Sequence, residues 1–82
     1  MSDPSVGTIN TRVIDDHILE VEIDRPAKFN GFTPEMMDGL VDAFTRLDED
    51  DDLWCGVVVA AGPHFTAGLD LPRFQERLQS GE

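Results

Sequence analysis

The segment 62–74, with the sequence GPHFTAGLDLPRF, holds the residues best suited to chemistry in this chain. It follows an apolar run and leads into a helix start, so its backbone N–H groups lack partners and face outward. Such amides, together with the positive end of a helix, favour an anionic oxygen or a phosphate. Ala67 and Gly68 keep the approach open, and the amide of Leu69 has the most room in front of it.

A plainer interpretation of the same segment stays open on the residues alone. Asp70 stands just ahead of Pro72, where a carboxylate can accept hydrogen bonds from the amides of the next turn. The segment therefore predicts either an oxyanion or phosphate site, or an ordinary strand–turn–helix connection with a capping aspartate.

Other residue types that carry chemistry favour structural roles here. The acidic run 48–52 has five consecutive carboxylates but lacks the glycine and the spaced ligands of a calcium loop, so we interpret it as a solvated linker. His17 in a turn and His64 in a loop are predicted to be exposed and non-catalytic, although His64 lies close to the candidate oxyanion or phosphate site. Cys55 is the single cysteine, which excludes a disulfide within the chain and a Cys-rich zinc site. Its apolar surroundings predict a buried, reduced thiol.

A β-hairpin is predicted at the start of the chain. Two runs rich in β-branched residues, 9–13 and 18–23, flank the turn Asp15-Asp16-His17. In the second run, apolar residues at 19, 21 and 23 alternate with mostly acidic ones, which is the period of a half-buried strand.

A helix, a strand and a second helix are predicted to follow the hairpin. Thr33-Pro34-Glu35 is a helix start, with a hydroxyl cap, a proline and an acid in the first turn. The run 54–61 predicts an apolar strand covered on both faces, and a short helix is expected around 69–78. The first helix, of about 14 residues, is expected to bury one apolar stripe. That stripe is Met37, Leu40, Val41, Phe44 and Leu47.

Composition limits the class of protein. The 82 residues include 17 acidic and 6 basic side chains, a formal net charge of −11, which argues against binding nucleic acid or an anionic membrane. The length allows one small domain, the N-terminus has no apolar signal segment, and the longest apolar stretch is far shorter than a membrane span of about 20 residues. We expect a soluble, cytoplasmic chain. A doubly covered strand needs more covering elements than these two helices, so we also expect a piece of a larger protein.

Two linked motifs give the chain a family resemblance. The stretch IDRPAKFNGF, then TPEMMDGLVDAF, then an apolar strand and HFTAGLDL resembles the enoyl-CoA hydratase/isomerase (crotonase) superfamily from about residue 9 to 74. The resemblance implies an α/β fold, the N-terminal part of the crotonase (ClpP/crotonase-like) spiral, in the order β-β-α-β-loop-α. It divides the chain into a flexible start at 1–8 and a partial domain at 9–82.

The resemblance also assigns roles to residues. In this family the amide after Ala-Gly, here that of Leu69, is one of two donors that polarise a thioester carbonyl, worth about 3–4 kcal/mol of barrier. Family members wrap coenzyme A with the loop that follows Arg-Pro and with the Ala-Gly-x-Asp-Leu turn. Lys28 could pair with a CoA phosphate or could simply be solvated. The positions that match the substrate and CoA contacts are Lys28, Phe29, Gly31, Ala67, Gly68, Leu69, Asp70 and Leu71.

The chain departs from the family pattern at two places. Gly31-Phe32 stands where Ala-Leu is usual, and Pro72 stands where many members have a polar residue. The first departure predicts a looser loop with a bulky ring, and the second is compatible with a first helical turn. Neither removes the Leu69 amide. The motif Phe-Thr-Ala-Gly-x-Asp-Leu resembles both hydratase-like and dienoyl-isomerase-like members, so it does not distinguish the reaction.

Function follows from the resemblance as an expectation. The family's second oxyanion amide and its acid/base carboxylates come from segments after the Ala-Gly-x-Asp-Leu helix, so this chain alone is predicted to be inactive. The expected substrate is an acyl-CoA thioester of fatty acid metabolism, with no other cofactor and no metal, processed by a lyase or isomerase that assembles as a trimer or hexamer. The alternative is a degenerate paralogue that binds CoA or another subunit without catalysis.

Overall fold

The computed structural model describes residues 6–79. The predicted α/β order β-β-α-β-loop-α is confirmed, with a short 3-10 helix (Pro26–Lys28) added after the second strand. Residues 1–5 of the predicted flexible start, and residues 80–82, lie outside the described part. The elements are β1 (Thr8–Ile14), β2 (Ile18–Asp24), α1 (Pro34–Glu49), β3 (Cys55–Ala60) and α2 (Leu71–Gln79).

The hairpin forms as predicted. β1 and β2 pair antiparallel from Thr8 opposite Asp24 to Ile14 opposite Ile18. The turn between them places Asp15 and Asp16 at φ values of 51° and 65°, in the left-handed region that aspartate tolerates better than most residues. The turn residues therefore fix the register that directs the alternating side chains of β2.

β2 lies in the centre of a three-stranded sheet of order β1-β2-β3. β3 pairs with it in parallel, from Ile18 opposite Cys55 to Ile23 opposite Ala60, and α1 makes the crossover between them. Leu19 and Val21 are fully buried and pack with Ala43 of α1, which confirms the predicted half-buried strand. The core therefore sits between α1 and one face of the sheet.

The cap of α1 is confirmed, but its buried face differs from the predicted one. The Thr33 hydroxyl accepts a hydrogen bond from the Met36 N–H at 3.2 Å. Met36 and Ala43 are buried, whereas Val41 is 59% exposed and Phe44 is largely exposed as well. Met37, Leu40 and Leu47 of the predicted stripe do pack against the core, whereas Met36 and Ala43 take the central places that were predicted for Val41 and Phe44.

Within residues 6–79, α1 covers one face of β3, and no described element supplies the cover that was predicted for the other face. Gly56 faces α1, where a Cβ would lie 3.0 Å from Leu47 Cδ2. Cys55 is its neighbour and so lies on the other face of the sheet, at the edge, and it is exposed rather than buried. Val57 shares that face and is exposed too, because no described helix packs there.

Two classes of feature are missing from residues 6–79. None of the helices there has both the length and the apolar character that crossing a bilayer requires. No group of three or more histidine, cysteine or acidic side chains in the same range could hold a metal ion.

The acidic run, interpreted as a linker, continues α1 to Glu49 and then turns, with the Asp52 N–H donating to the Asp50 carboxylate at 2.9 Å.

Candidate functional site

The candidate site is built by two loops that leave the same end of the sheet. One loop, residues 25–33, follows β2, and the other, residues 61–70, follows β3. Because β2 and β3 are adjacent and parallel, their carboxyl ends lie side by side. This is where open α/β sheets usually bind ligands.

An isolated bridge between Phe32 and Leu69 joins the two loops. The Phe32 N–H donates to the Gly68 carbonyl at 2.7 Å, and the Asp70 N–H donates to the Phe32 carbonyl at 2.8 Å. Gly68 C=O and Leu69 N–H belong to one planar trans peptide, so they point in opposite directions. The Leu69 N–H therefore faces away from Phe32, and no described residue accepts a hydrogen bond from it.

Asn30 ties the first loop to the second from a fully buried position. Its Oδ1 accepts from the Arg25 N–H at 2.7 Å. Its Nδ2 donates to the carbonyl oxygens of Ala61 and His64, both at 2.7 Å. The backbone of Asn30 is left-handed, with φ of 57°. Its side chain thus uses its hydrogen-bonding groups to hold the start of each loop.

Arg25 makes a second connection between the loops. Its side chain is only 2% exposed, and Nη1 donates to the Gly31 carbonyl at 3.0 Å and to the Asp70 carboxylate at 2.8 Å. Asp70 also caps α2, because its carbonyl accepts from the N–H groups of Arg73 and Phe74. One buried guanidinium therefore links the loop after β2 to the start of α2.

The turn before Leu69 is held by Thr66 and leaves open space. The Thr66 hydroxyl donates to the Asn30 carbonyl at 2.6 Å and accepts from the Gly68 N–H at 3.1 Å. Gly68 has φ of +94°, and a Cβ placed on it would meet nothing within 4 Å. A ligand atom thus has access to the backbone on this side of the turn.

A shallow cleft lies beside this turn. It has a volume of about 370 Å³ and is lined by Phe29, His64, Thr66 and Ala67. The Phe29 and His64 rings meet edge to face, with their centres 5.1 Å apart. The described lining is mostly apolar and contains no carboxylate, so it suits an uncharged part of a ligand better than a cation.

Comparison with known proteins places this arrangement in a family. A family model described as "Enoyl-CoA hydratase/isomerase" matches residues 13–82. The chain belongs to the enoyl-CoA hydratase/isomerase family. It is 44% identical over 55 residues to "Enoyl-CoA hydratase EchA19" of Mycobacterium tuberculosis, covering 67% of this chain and 21% of that protein.

Other relatives of the enoyl-CoA hydratase/isomerase chain include isomerases. The mouse mitochondrial Delta(3,5)-Delta(2,4)-dienoyl-CoA isomerase is 34% identical over 71 residues, which are 87% of this chain and 22% of that one. A solved structure of a probable enoyl-CoA hydratase/isomerase from Mycobacterium abscessus superposes with a TM-score of 0.80 and 37% identity, over 92% of this chain and 29% of that one. The chain spans about a fifth of the length of these two curated relatives.

The residues predicted from the resemblance to contact the substrate and CoA lie on these two loops and on the first turn of α2. Lys28 and Phe29 are exposed at the end of the 3-10 helix, and Gly31 is buried. The remaining positions follow one another along the second loop, and Asp70 alone among them is half-buried rather than exposed. These positions are Ala67, Gly68, Leu69, Asp70 and Leu71, of which Leu71 begins α2.

The two histidines behave differently. His64 is exposed, as predicted, and lines the cleft. His17 was predicted to be exposed but is half-buried, because its ring stacks on Trp54 with centres 3.6 Å apart. Its Nδ1 also lies 2.9 Å from the Asp52 carbonyl oxygen. His17 is at the opposite end of β2 from the candidate site, where it packs the hairpin turn against the start of β3.

Three residues that organise the site were not predicted to do so. In the sequence analysis, Arg25 and Asn30 entered only as part of the motif IDRPAKFNGF, and Thr66 only as part of HFTAGLDL. Each acts through partners more than 30 positions away in the chain. One feature of the sequence could have indicated these roles. Arginine and asparagine side chains, which can make several hydrogen bonds, occur in loops that otherwise consist largely of small and apolar residues.

The Arg25–Asp70 pair predicts how stability changes in acid. The hydrogen bond from Arg25 holds the pKa of the Asp70 carboxyl below its ordinary value of 3.8, with a smaller contribution from the Arg73 N–H. A lowered pKa in the folded state stabilises the fold above the ordinary pKa, and this stabilisation is lost as the pH falls through the lowered value. We therefore expect Asp70→Asn to lose its effect on stability in strong acid.

Urea unfolding between pH 2 and 6 measures this effect. The difference in free energy of unfolding between the wild type and Asp70→Asn should be largest above pH 5 and should shrink below pH 3.8. Asp38→Asn, which removes a carboxylate from an exposed pair with Arg77, controls for the loss of one charge in an acidic chain. A constant difference across the whole range would contradict the proposed origin of the pKa.

Proposed function

We propose that this chain supplies one oxyanion-hole amide, the Leu69 N–H, and part of the CoA cleft of an enzyme that hydrates or isomerises an enoyl-CoA thioester. The observation that carries the proposal is the orientation of the Gly68–Leu69 peptide. Its carbonyl is bound to Phe32, which leaves the Leu69 N–H directed away from the bridge and without a described acceptor. The open space at Gly68 supports access of a ligand.

The Leu69 amide would act by stabilising charge on the thioester oxygen. Addition of water to, or removal of a proton from, an enoyl-CoA places negative charge on that oxygen in an enolate-like intermediate. A donor already aimed at the oxygen needs no reorganisation during the reaction, and one such donor is typically worth about 3–4 kcal/mol. Backbone donors do not titrate, so this contribution is independent of pH.

The rest of the substrate would lie against the two loops. The apolar cleft of Phe29, His64, Thr66 and Ala67 suits the uncharged pantetheine or acyl part of an acyl-CoA. Lys28 is exposed beside it and offers a cation to a CoA phosphate. Coenzyme A enters as part of the substrate, and we propose no further cofactor.

We infer that these residues do not complete the reaction alone. Asp70 lies next to the Leu69 amide, but its carboxylate already accepts from Arg25, which disfavours its use as a base. The described lining of the cleft holds no other acid. The acid/base groups and the second amide are therefore proposed to come from other parts of the enzyme.

Two measurements on the chain test the proposal. Incubation with crotonyl-CoA should give no hydration above buffer, and turnover would contradict the missing acid/base groups. Titration with butyryl-CoA should shift the Leu69 amide resonance in ¹⁵N NMR spectra more than titration with free CoA does. Equal shifts for both ligands would remove the thioester carbonyl from the proposed site.

A pair of glycine variants sharpens this test. Gly68→Ala and Gly68→Val both place a side chain at φ of +94°, where β-branched valine is strained more than alanine, and valine also adds branches in the open space. We expect Gly68→Val to bind butyryl-CoA at least about tenfold more weakly than Gly68→Ala does. Equal affinities of the two variants would mean that the ligand does not approach the turn there.

Location and assembly belong to the same proposal. An exposed single cysteine is compatible with a reducing compartment such as the cytoplasm. Exposed apolar side chains on α1, on β3 and directly before β3 support a homo-oligomer, for which the family resemblance suggests a trimer or hexamer. These side chains include Val41, Phe44, Trp54, Val57 and Val58.

The same apolar surface favours a second candidate function, a module that binds CoA or another subunit without catalysis. Sedimentation of the chain distinguishes a monomer from a chain that associates with itself. A monodisperse monomer that melts cooperatively would speak against any requirement for a partner. Association together with CoA binding but without turnover in the complete protein would favour the module.

A further inference from the structure

The peptide that carries the Leu69 amide is attached on both sides. Before it, Thr66 donates to the Asn30 carbonyl and accepts from the Gly68 N–H. After it, the Asp70 N–H donates to Phe32 and the Asp70 carboxylate accepts from Arg25. The direction of the Leu69 N–H is thus set by its neighbours, while its own hydrogen takes no part.

The backbone bridge alone is a weak attachment. It consists of a single residue pair, Phe32 and Leu69, outside the ladder of β2 and β3. Hydrogen bonds between neutral backbone groups add little net stability, so an isolated pair can open or slide. A catalytic donor tolerates little displacement, because an error of about 1 Å is costly in rate.

Arg25 reinforces this bridge at both of its strands. Its Nη1 contacts the carbonyl of Gly31, which precedes Phe32, and the carboxylate of Asp70, which follows Leu69. The guanidinium is buried, and hydrogen bonds between ionised groups are shorter and stronger than neutral ones. The two bonds from one nitrogen therefore brace the segments on either side of the donor.

We propose that Arg25 and Asp70 are positioning residues that hold the Leu69 amide in line with a thioester carbonyl. This inference rests on the proposed role of Leu69 and adds that the ion pair sets its preference for the thioester. The pair does not touch the carbonyl oxygen. Its loss should therefore reduce discrimination between an acyl-CoA and free CoA more than it reduces binding of CoA itself.

The experiment compares the dissociation constants of butyryl-CoA and free CoA for the chain, measured by NMR titration. Asp70→Asn keeps the size and the acceptor of the side chain but removes its charge. Arg25→Lys keeps a charge but not the planar guanidinium. Arg12→Gln is the matched control, since Arg12 forms a pair of the same 2.8 Å length with Glu20 on the exposed face of the hairpin.

The wild type and Arg12→Gln should bind butyryl-CoA more tightly than free CoA. In Asp70→Asn, the ratio of the two dissociation constants should fall at least threefold. Arg25→Lys should give a ratio between those of the wild type and Asp70→Asn. A preference that survives in Asp70→Asn overturns the positioning inference. A wild type without any preference overturns the proposed function instead.

Hydrogen exchange supplies a second measurement that does not depend on a ligand. Asp70→Asn should speed the exchange of the Phe32 and residue-70 amides at least tenfold more than that of the β2 amides, whose protection should fall only by the change in the free energy of unfolding. If the bridge amides keep their wild-type exchange rates in this variant, the ion pair does not brace the bridge and the inference fails. An equal loss of protection at the bridge and in β2 would also contradict it, since the pair would then support the whole fold without a particular effect on the bridge.

Discussion

Asn30→Ala is expected to lower the free energy of unfolding by about 3–5 kcal/mol. The substitution removes three hydrogen bonds of 2.7 Å and leaves the Arg25 N–H and the carbonyls of Ala61 and His64 without their buried partner. It also places alanine at a φ of 57°, where asparagine is tolerated better. A chain of this size is stable by only about 4–12 kcal/mol, so this loss is a large share of the total stability.

Urea denaturation of three variants isolates the cause. Asn30→Gly relieves the backbone cost but not the lost hydrogen bonds, so it should remain strongly destabilised. Asn10→Ala is the matched control, because Asn10 is an exposed asparagine that donates to Glu22 and Asp24 from β1. We expect it to change stability by less than about 0.5 kcal/mol. Similar values for Asn30→Ala and Asn10→Ala would refute the role given to Asn30.

Met36→Ala is expected to cost about 2–5 kcal/mol, and Met37→Ala about 1 kcal/mol. Met36 is 1% exposed and packs with Ile23 and Phe32, whereas Met37 is only partly buried at the edge of the same cluster. The residues are neighbours of identical type in one helix, so their helix propensities and unfolded states nearly cancel. The difference between the variants therefore measures burial.

Thermal and urea unfolding of both variants gives the comparison. Because Phe32 packs on Met36 and also forms the bridge to Leu69, Met36→Ala should loosen the site as well as the core. Its Leu69 amide should shift in NMR spectra, while that of Met37→Ala should stay near its wild-type position. Equal losses of stability would contradict the difference in burial, and a larger loss for Met37→Ala would show that α1 packs through the stripe that the sequence suggested.

This pair of methionines illustrates why local patterns predicted the elements better than their contacts. Thr33 and Pro34 start α1 through interactions within one turn, and those signals are complete in the sequence. The buried face of α1 depends on where the sheet lies. With apolar residues at 36, 37, 40, 41, 43, 44 and 47, spacing alone permits more than one stripe.

The site shows the same division. The turn around Leu69 was found because small residues between a strand and a helix are a local signal, strengthened by a two-part family motif. The positions of Arg25 and Asn30 in the network depend on carbonyls and a carboxylate supplied by the other loop. Cys55 was predicted to be buried because its neighbours are apolar. This prediction is wrong, because β3 is the edge strand of the described sheet and no described element packs on the face where Cys55 lies.

The parallel pairing of β2 with β3 has a consequence for how such chains tolerate changes in length. Ile23 lies opposite Ala60 near the carboxyl ends of the two strands, and the two loops of the site follow directly after this pair. Residues added to the acidic turn after α1 leave this pair aligned, so they should leave the cleft intact. One residue added between Ala60 and Leu69 would displace the amide by about 3.3 Å. Insertions in related sequences should therefore collect before β3 and be rare between it and the Ala-Gly turn.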